Sequence, residues 1–158
     1  MNRYFANTMP QFKVAPCSVD DAQALATINT TAFWADATWI LMWPSKTCRY
    51  VTAQAVHRMP HTLLNDRTRK RHQKVVDSET GTVLGYARWT LPDTGDYEQL
   101  MGTWAEARVD AVNEVELEKF EIEYMAADWD YDHSLDVLNN PINEMMYQLY
   151  DPKKHIRT

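Results

Sequence analysis

The sequence predicts an α+β fold: a strand, two helices and an antiparallel hairpin, followed by an acidic helical segment. Three observations carry it. A short β-type run leads into a capped amphipathic stripe near the N-terminus, and two strand-length segments flank the turn sequence Ser78-Glu79-Thr80-Gly81. Between Arg108 and Asp136, ten acidic residues stand against two basic ones in a helix-favouring stretch. With 158 residues, 45% hydrophobic and 24% charged, the chain suits a single domain over 1–158, with 98–150 as an acidic helical insertion within it.

The elements follow in order. Residues 12 to 17 form the first strand candidate, and Ser18 with Asp21 three positions on matches a capping box with Asp in place of Glu. The stripe Ala22, Leu25, Ala26, Ile28, Asn29, Ala32 and Phe33 then places a helix at about 19–34. Phe33 to Pro44 is the most aromatic stretch, and Pro44 ends any helical turn there. A second helix is expected over 45–65, with Tyr50, Ala53, Val56 and Leu64 on one face and an interruption or kink at Pro60.

The basic run 67–74 reads as a solvated loop leading into Val75-Val76-Asp77. After the turn, Thr82 to Leu91 is the returning strand, with Val83, Gly85, Ala87, Trp89 and Leu91 on one face and Leu84, Tyr86, Arg88 and Thr90 on the other. Beyond the loop 92–96, residues 98–126 read as one or two surface helices, and a short helix over 141–149 stops before Asp151-Pro152.

Composition excludes several functions. The chain has four glycines, well below the usual share of about 7%, and no G-x-G-x-x-G or G-x-x-x-x-G-K sequence to cradle a phosphate. A net charge of −6 argues against nucleic-acid binding, which needs a basic surface. Cys17 and Cys48 lack C-x-x-C spacing, so neither a disulfide framework nor a zinc site is indicated. Met1 to Pro10 has no apolar leader core, and no stretch approaches the roughly 18 apolar residues of a membrane span. A cytoplasmic protein without membrane contact is the expectation.

Phe12-Lys13-Val14-Ala15-Pro16 leading to Asp20-Asp21-Ala22, then Thr31-Ala32-Phe33, and above all the hairpin KVVDSETGTVLGYARWTLP at 74–92 carry a family resemblance. The order and these residues resemble the N-terminal half of GNAT-superfamily N-acetyltransferases of the fungal type, with "G-x-x-x-G-Y-A-x-W" at Gly81, Gly85, Tyr86, Ala87 and Trp89. It covers about 12–92 well, and 98–150 only as an acidic helical insertion. The resemblance implies acetyl transfer from acetyl-CoA to an amine, with Phe33, Trp34, Trp39 and Trp43 lining the acceptor site and Trp89 grouped with them as substrate-binding. The family's R/Q-x-x-G-x-G/A loop for the CoA pyrophosphate does not occur here, and His155-Ile156-Arg157 falls where the fourth strand would begin. No catalytic residue transfers by motif, no cofactor is expected for this chain alone, and the expectation is a truncated protein that is not active by itself.

Other constellations read blandly. His57 and His61 have i, i+4 spacing but lack a following Glu, so surface histidines are the reading and no metal is expected. Asp128-Trp129-Asp130-Tyr131-Asp132 begins like a calcium loop, yet His133 stands where Gly is needed. Core packing is the competing role for each aromatic residue of 33–43. Two alternative functions stay open: a non-catalytic module that pairs with a partner chain or itself through an open sheet edge, and a small CoA-independent enzyme of secondary metabolism using the aromatic pocket.

Overall fold

The computed structural model describes residues 11–157. Met1–Pro10, read above as lacking a leader core, lies outside the described residues. Three strands form an antiparallel sheet in the order β1 (Phe12–Pro16), β2 (Lys70–Asp77), β3 (Val83–Thr90). Between β1 and β2 come helices α1 (Ala22–Phe33), α2 (Ala37–Leu41) and α3 (Cys48–Leu64). After β3 follow α4 (Tyr97–Gly102), α5 (Glu114–Ala126) and α6 (Asp136–Leu149). The mixed strand-and-helix class expected from the sequence is therefore present. No helix among the described residues is long and apolar enough to cross a membrane.

Local chemistry explains the boundaries. The Ser18 amide donates to Asp21 Oδ2 at 2.7 Å, the carboxylate half of the capping box, and a 3-10 turn over Val19–Asp21 opens into α1. Asp21 also receives Lys74 Nζ from β2 at 2.5 Å, which ties the start of α1 to the sheet. Thr47 caps α3, its hydroxyl accepting the Tyr50 amide at 3.2 Å. Pro60 does not interrupt α3, which runs through it as one helix. The missing N–H there removes one helical bond, while the ring is buried with Met59, Leu63 and Leu64, and the helix ends four residues later.

The hairpin departs from strict alternation at one residue. Val75 pairs with Gly85 and Val76 with Val83, so Leu84 is the extra residue of a bulge. A bulge resets the face pattern: Val83 packs against the same core as Tyr86, and Leu84 is exposed. In the turn, Asp77 Oδ1 accepts the amides of Glu79 and Thr80, and Gly81 takes a positive φ of 71° that costs other residues strain.

The basic run is the larger correction. Lys70 to Lys74 lie within β2 rather than in a loop, and Arg71 and His72 are fully buried. Alternation sends Arg71 to one face and His72 and Lys74 to the other, and each finds a partner there. Arg71 donates five hydrogen bonds, all to backbone carbonyls: Thr103 (2.9 Å), Arg67 (3.1 Å), Thr68 (3.2 Å), Lys70 (2.8 Å) and Leu100. One guanidinium thus closes the turn before β2 and the C-terminal end of α4.

Helices α1 and α3 cover one sheet face, where Leu25, Ala26, Ala55, Met59 and Leu63 form the core with Cys17 and Val109. Leu25 and Leu63 have no exposed surface, each worth about 1.5–3 kcal/mol of burial. Helix α5 packs on the far side of α3. On the opposite sheet face Phe12 and Val14 are exposed, whereas Arg71 is covered by the 97–107 segment. At the outer edge of β3 the described residues supply one antiparallel bridge, Thr90 with Arg157.

Candidate functional site

A cleft of about 310 Å³ opens where α1, α3, α5 and the outer half of β3 meet. Its floor is polar and small: Asn29 and Thr30 from α1, and Thr62 from α3. Its walls are aromatic, with Phe33, Trp39, Tyr124 and Trp129. Two cations, Arg58 of α3 and Arg88 of β3, reach into it, and no carboxylate lines it among the described residues.

Each wall is held by an identifiable device. Asp36 caps α2 by accepting the Thr38 amide at 2.8 Å, and this short helix presents Trp39 to Phe33 in a stacked pair with centroids 5.7 Å apart. Trp34 meets Trp39 edge-on at 5.5 Å. Trp129 comes from the acidic 128–132 segment, which is latched to the α2–α3 region. Lys46 Nζ binds Asp128 Oδ1 at 2.7 Å, Tyr50 donates to Asp128 Oδ2 at 2.8 Å, and the Asp132 amide donates to the Met42 carbonyl at 2.8 Å. The Lys46 and Tyr50 bonds hold the Asp128 carboxyl below the usual carboxylate range. The segment that resembled the start of a calcium loop thus serves as a strap that seats Trp129.

Arg58 lies close to two aromatic rings. Its guanidinium lies 3.9 Å from the centroid of Tyr124 and 5.0 Å from that of Trp129, and Nη2 donates to the Tyr124 hydroxyl at 2.6 Å. Stacking uses the faces of the guanidinium and leaves its edge for hydrogen bonds. The arrangement can hold a flat or apolar body against the rings and a polar, electron-rich group against the arginines.

On the core face of the sheet the buried His72 pairs with the half-buried Tyr86, with His72 Nδ1 at 2.8 Å from the Tyr86 hydroxyl. Burial, followed by the Arg88, Lys70 and Arg71 charges, pushes the His72 pKa down to about 4, and burial raises that of Tyr86. Both are therefore neutral at pH 7. The unfolded chain binds a proton at His72 below its ordinary 6.5, while the folded chain does so only near 4. Stability from this group is complete above pH 6.5, declines as the pH falls, and reaches its floor below about 4. The shift corresponds to about 3 kcal/mol. Urea midpoints measured from pH 7 to pH 4 should show a decline that is absent in His72→Gln.

Of the residues expected at the site, Phe33 and Trp39 line the cleft and Trp34 buttresses Trp39. Trp43 is 3% exposed and packs behind the wall, against Trp39 at 5.4 Å, Trp129 at 5.1 Å and Tyr131 at 6.1 Å. Trp89 is elsewhere: strand alternation puts it on the opposite face of the sheet, beside Trp104 at 5.7 Å. His57 is exposed and His61 stacks on Tyr124 at 4.3 Å. Among the described residues no group of three or more His, Cys, Asp or Glu converges on a metal position.

Sequence reading missed Arg58, Arg88, Tyr124 and Trp129 as lining residues. The available signal was weak: Tyr124 and Trp129 are isolated aromatics in an acidic stretch, and only the docking of α5 on α3 brings them to α1. No protein-family model, curated protein or solved structure matches the chain.

Proposed function

We propose that the chain carries the acceptor side of a GNAT-type N-acetyltransferase, with the amine seated in the Phe33–Trp39–Trp129 cleft. The carrying observation is the position of that cleft, between α1, α3 and the strand that closes the hairpin. The Thr90–Arg157 bridge is compatible with this reading, because it pairs backbone with the outer edge of β3 two residues from Arg88.

The described residues do not fit the acetyl-CoA pyrophosphate. Such an anion needs free backbone N–H groups, usually in a glycine-rich loop opening a helix. Here Gly81 and Gly95 occupy turns, Gly85 is inside β3 and Gly102 ends α4. The starts of α2, α3, α4 and α5 are already capped by Asp36, Thr47, Asp96 and Asn113. No step of transfer is therefore assigned to these residues. They hold the amine and exclude water from one side of it, the aromatic walls supplying the apolar contact and Asn29 and Thr30 the polar floor.

A binding titration followed by tryptophan fluorescence tests this reading, because Trp34, Trp39, Trp43 and Trp129 all lie in or beside the cleft. Aromatic amines such as L-phenylalanine should perturb the emission saturably, and Trp39→Ala should remove the effect. No response from any small amine at millimolar concentration would contradict the reading.

A further inference from the structure

The cleft's charge is one-sided. Arg58 and Arg88 both line it, neither has a carboxylate partner among the described residues, and no acid lines the cavity. Many cations of this chain lack a carboxylate within ion-pair distance, and what sets these two apart is that they share one cavity with no acid in its lining. An amine alone would be repelled by two arginines in a confined space. A carboxylate would be welcomed.

We infer that the ligand of this cleft is a small carboxylate with an aromatic or branched apolar body, the carboxylate held by Arg58 and Arg88 and the body packed on Phe33, Trp39 and Trp129. Combined with the proposed function, on which this clause rests, the acceptor is an amino acid or similar amino-carboxylate and not a simple amine.

The geometry of Arg58 supports the assignment. Its one side-chain hydrogen bond among the described residues is to the Tyr124 hydroxyl, which fixes the direction of the guanidinium and leaves its other N–H groups without a protein acceptor. A planar fork with fixed donors matches a carboxylate, where paired hydrogen bonds are strong and directional. Arg88 is exposed and reaches the cavity from the adjoining strand, so a bound carboxylate bridges α3 to β3. The rings offer apolar surface for the body: Phe33 and Trp39 are stacked on each other, and Trp129, packed on Trp43, lines the same cleft.

The test uses the full chain and four probes, phenylacetate, L-phenylalanine, phenethylamine and inorganic phosphate, titrated by tryptophan fluorescence and calorimetry. Phenylacetate and L-phenylalanine are expected to bind at least about tenfold more tightly than phenethylamine, the size expected for hydrogen bonds to a charged group. Arg88→Gln should reduce that preference by about tenfold with an unchanged melting temperature, since Arg88 is exposed. Arg58→Gln should abolish it, and because that change also removes a stacked side chain, Arg88→Gln is the decisive variant. Equal binding of phenethylamine and phenylacetate overturns the carboxylate assignment and leaves the amine reading standing. Binding of phenylacetate with no binding of either amine keeps the carboxylate site and removes the amine reading. Phosphate binding tighter than phenylacetate, or a preference untouched by Arg88→Gln, overturns the inference.

Discussion

Arg71→Met is expected to lower stability by at least about 3 kcal/mol, because it removes the fully buried guanidinium that serves five backbone carbonyls, one buried and four part-buried, and an acceptor left unsatisfied in a buried site costs about 1–3 kcal/mol. Against a total of about 5–15 kcal/mol for a domain, that loss is large. At roughly 2–4 °C per kcal/mol for a chain of this size, the melting temperature should fall by about 10 °C. Arg71→Lys should rescue little of it, since an ammonium offers three donors from one point and cannot span carbonyls as far apart in sequence as Arg67 and Thr103. A thermal melt of both variants checks this. A melting temperature within a few degrees of the parent for Arg71→Met would mean that water replaces the guanidinium and that the 97–107 segment is held by other contacts.

Trp43→Ala is the second large effect, about 3–5 kcal/mol, the usual cost of deleting a buried tryptophan. Its consequence extends beyond stability. Trp43 packs against both Trp39 and Trp129, two of the rings that line the cleft, so its removal should also weaken binding of aromatic probes. Trp43→Phe separates the two effects. It keeps a ring between the walls and removes the buried indole N–H, which has no partner, so most of the stability and the binding should return. Binding that survives Trp43→Ala unchanged would show that the walls are positioned by the Lys46–Asp128–Tyr50 strap alone.

The parts of this fold legible in the sequence are those fixed by local chemistry. Ser18 and Asp21 marked the start of α1, and Ser78 to Gly81 marked the hairpin, because caps and turns are satisfied by residues within a few positions of one another. What could not be read depends on distant partners. The Leu84 bulge is a property of the β2–β3 register, and it alone decides that Val83 faces the core. Arg71 looked like one more charge in a basic run, since nothing nearby reveals that carbonyls 29 and 32 residues away, at Leu100 and Thr103, receive its guanidinium. The aromatic richness of 33–43 was visible, and two of its residues, Phe33 and Trp39, line the cleft. Its division into lining (Phe33, Trp39) and packing (Trp43) was not, because that depends on Trp129 arriving from the acidic segment.

The central claim is that this chain's working site is an acceptor cleft and that its residues hold no acetyl-CoA. One measurement addresses both halves: the thermal melt of the purified chain alone, with L-phenylalanine, and with acetyl-CoA, each at a large excess. A ligand at about 100 times its dissociation constant stabilises a fold by about 2.7 kcal/mol, which shifts the transition measurably. The account predicts a single cooperative transition that rises with L-phenylalanine and stays in place with acetyl-CoA. A transition that rises with acetyl-CoA and ignores L-phenylalanine would contradict it.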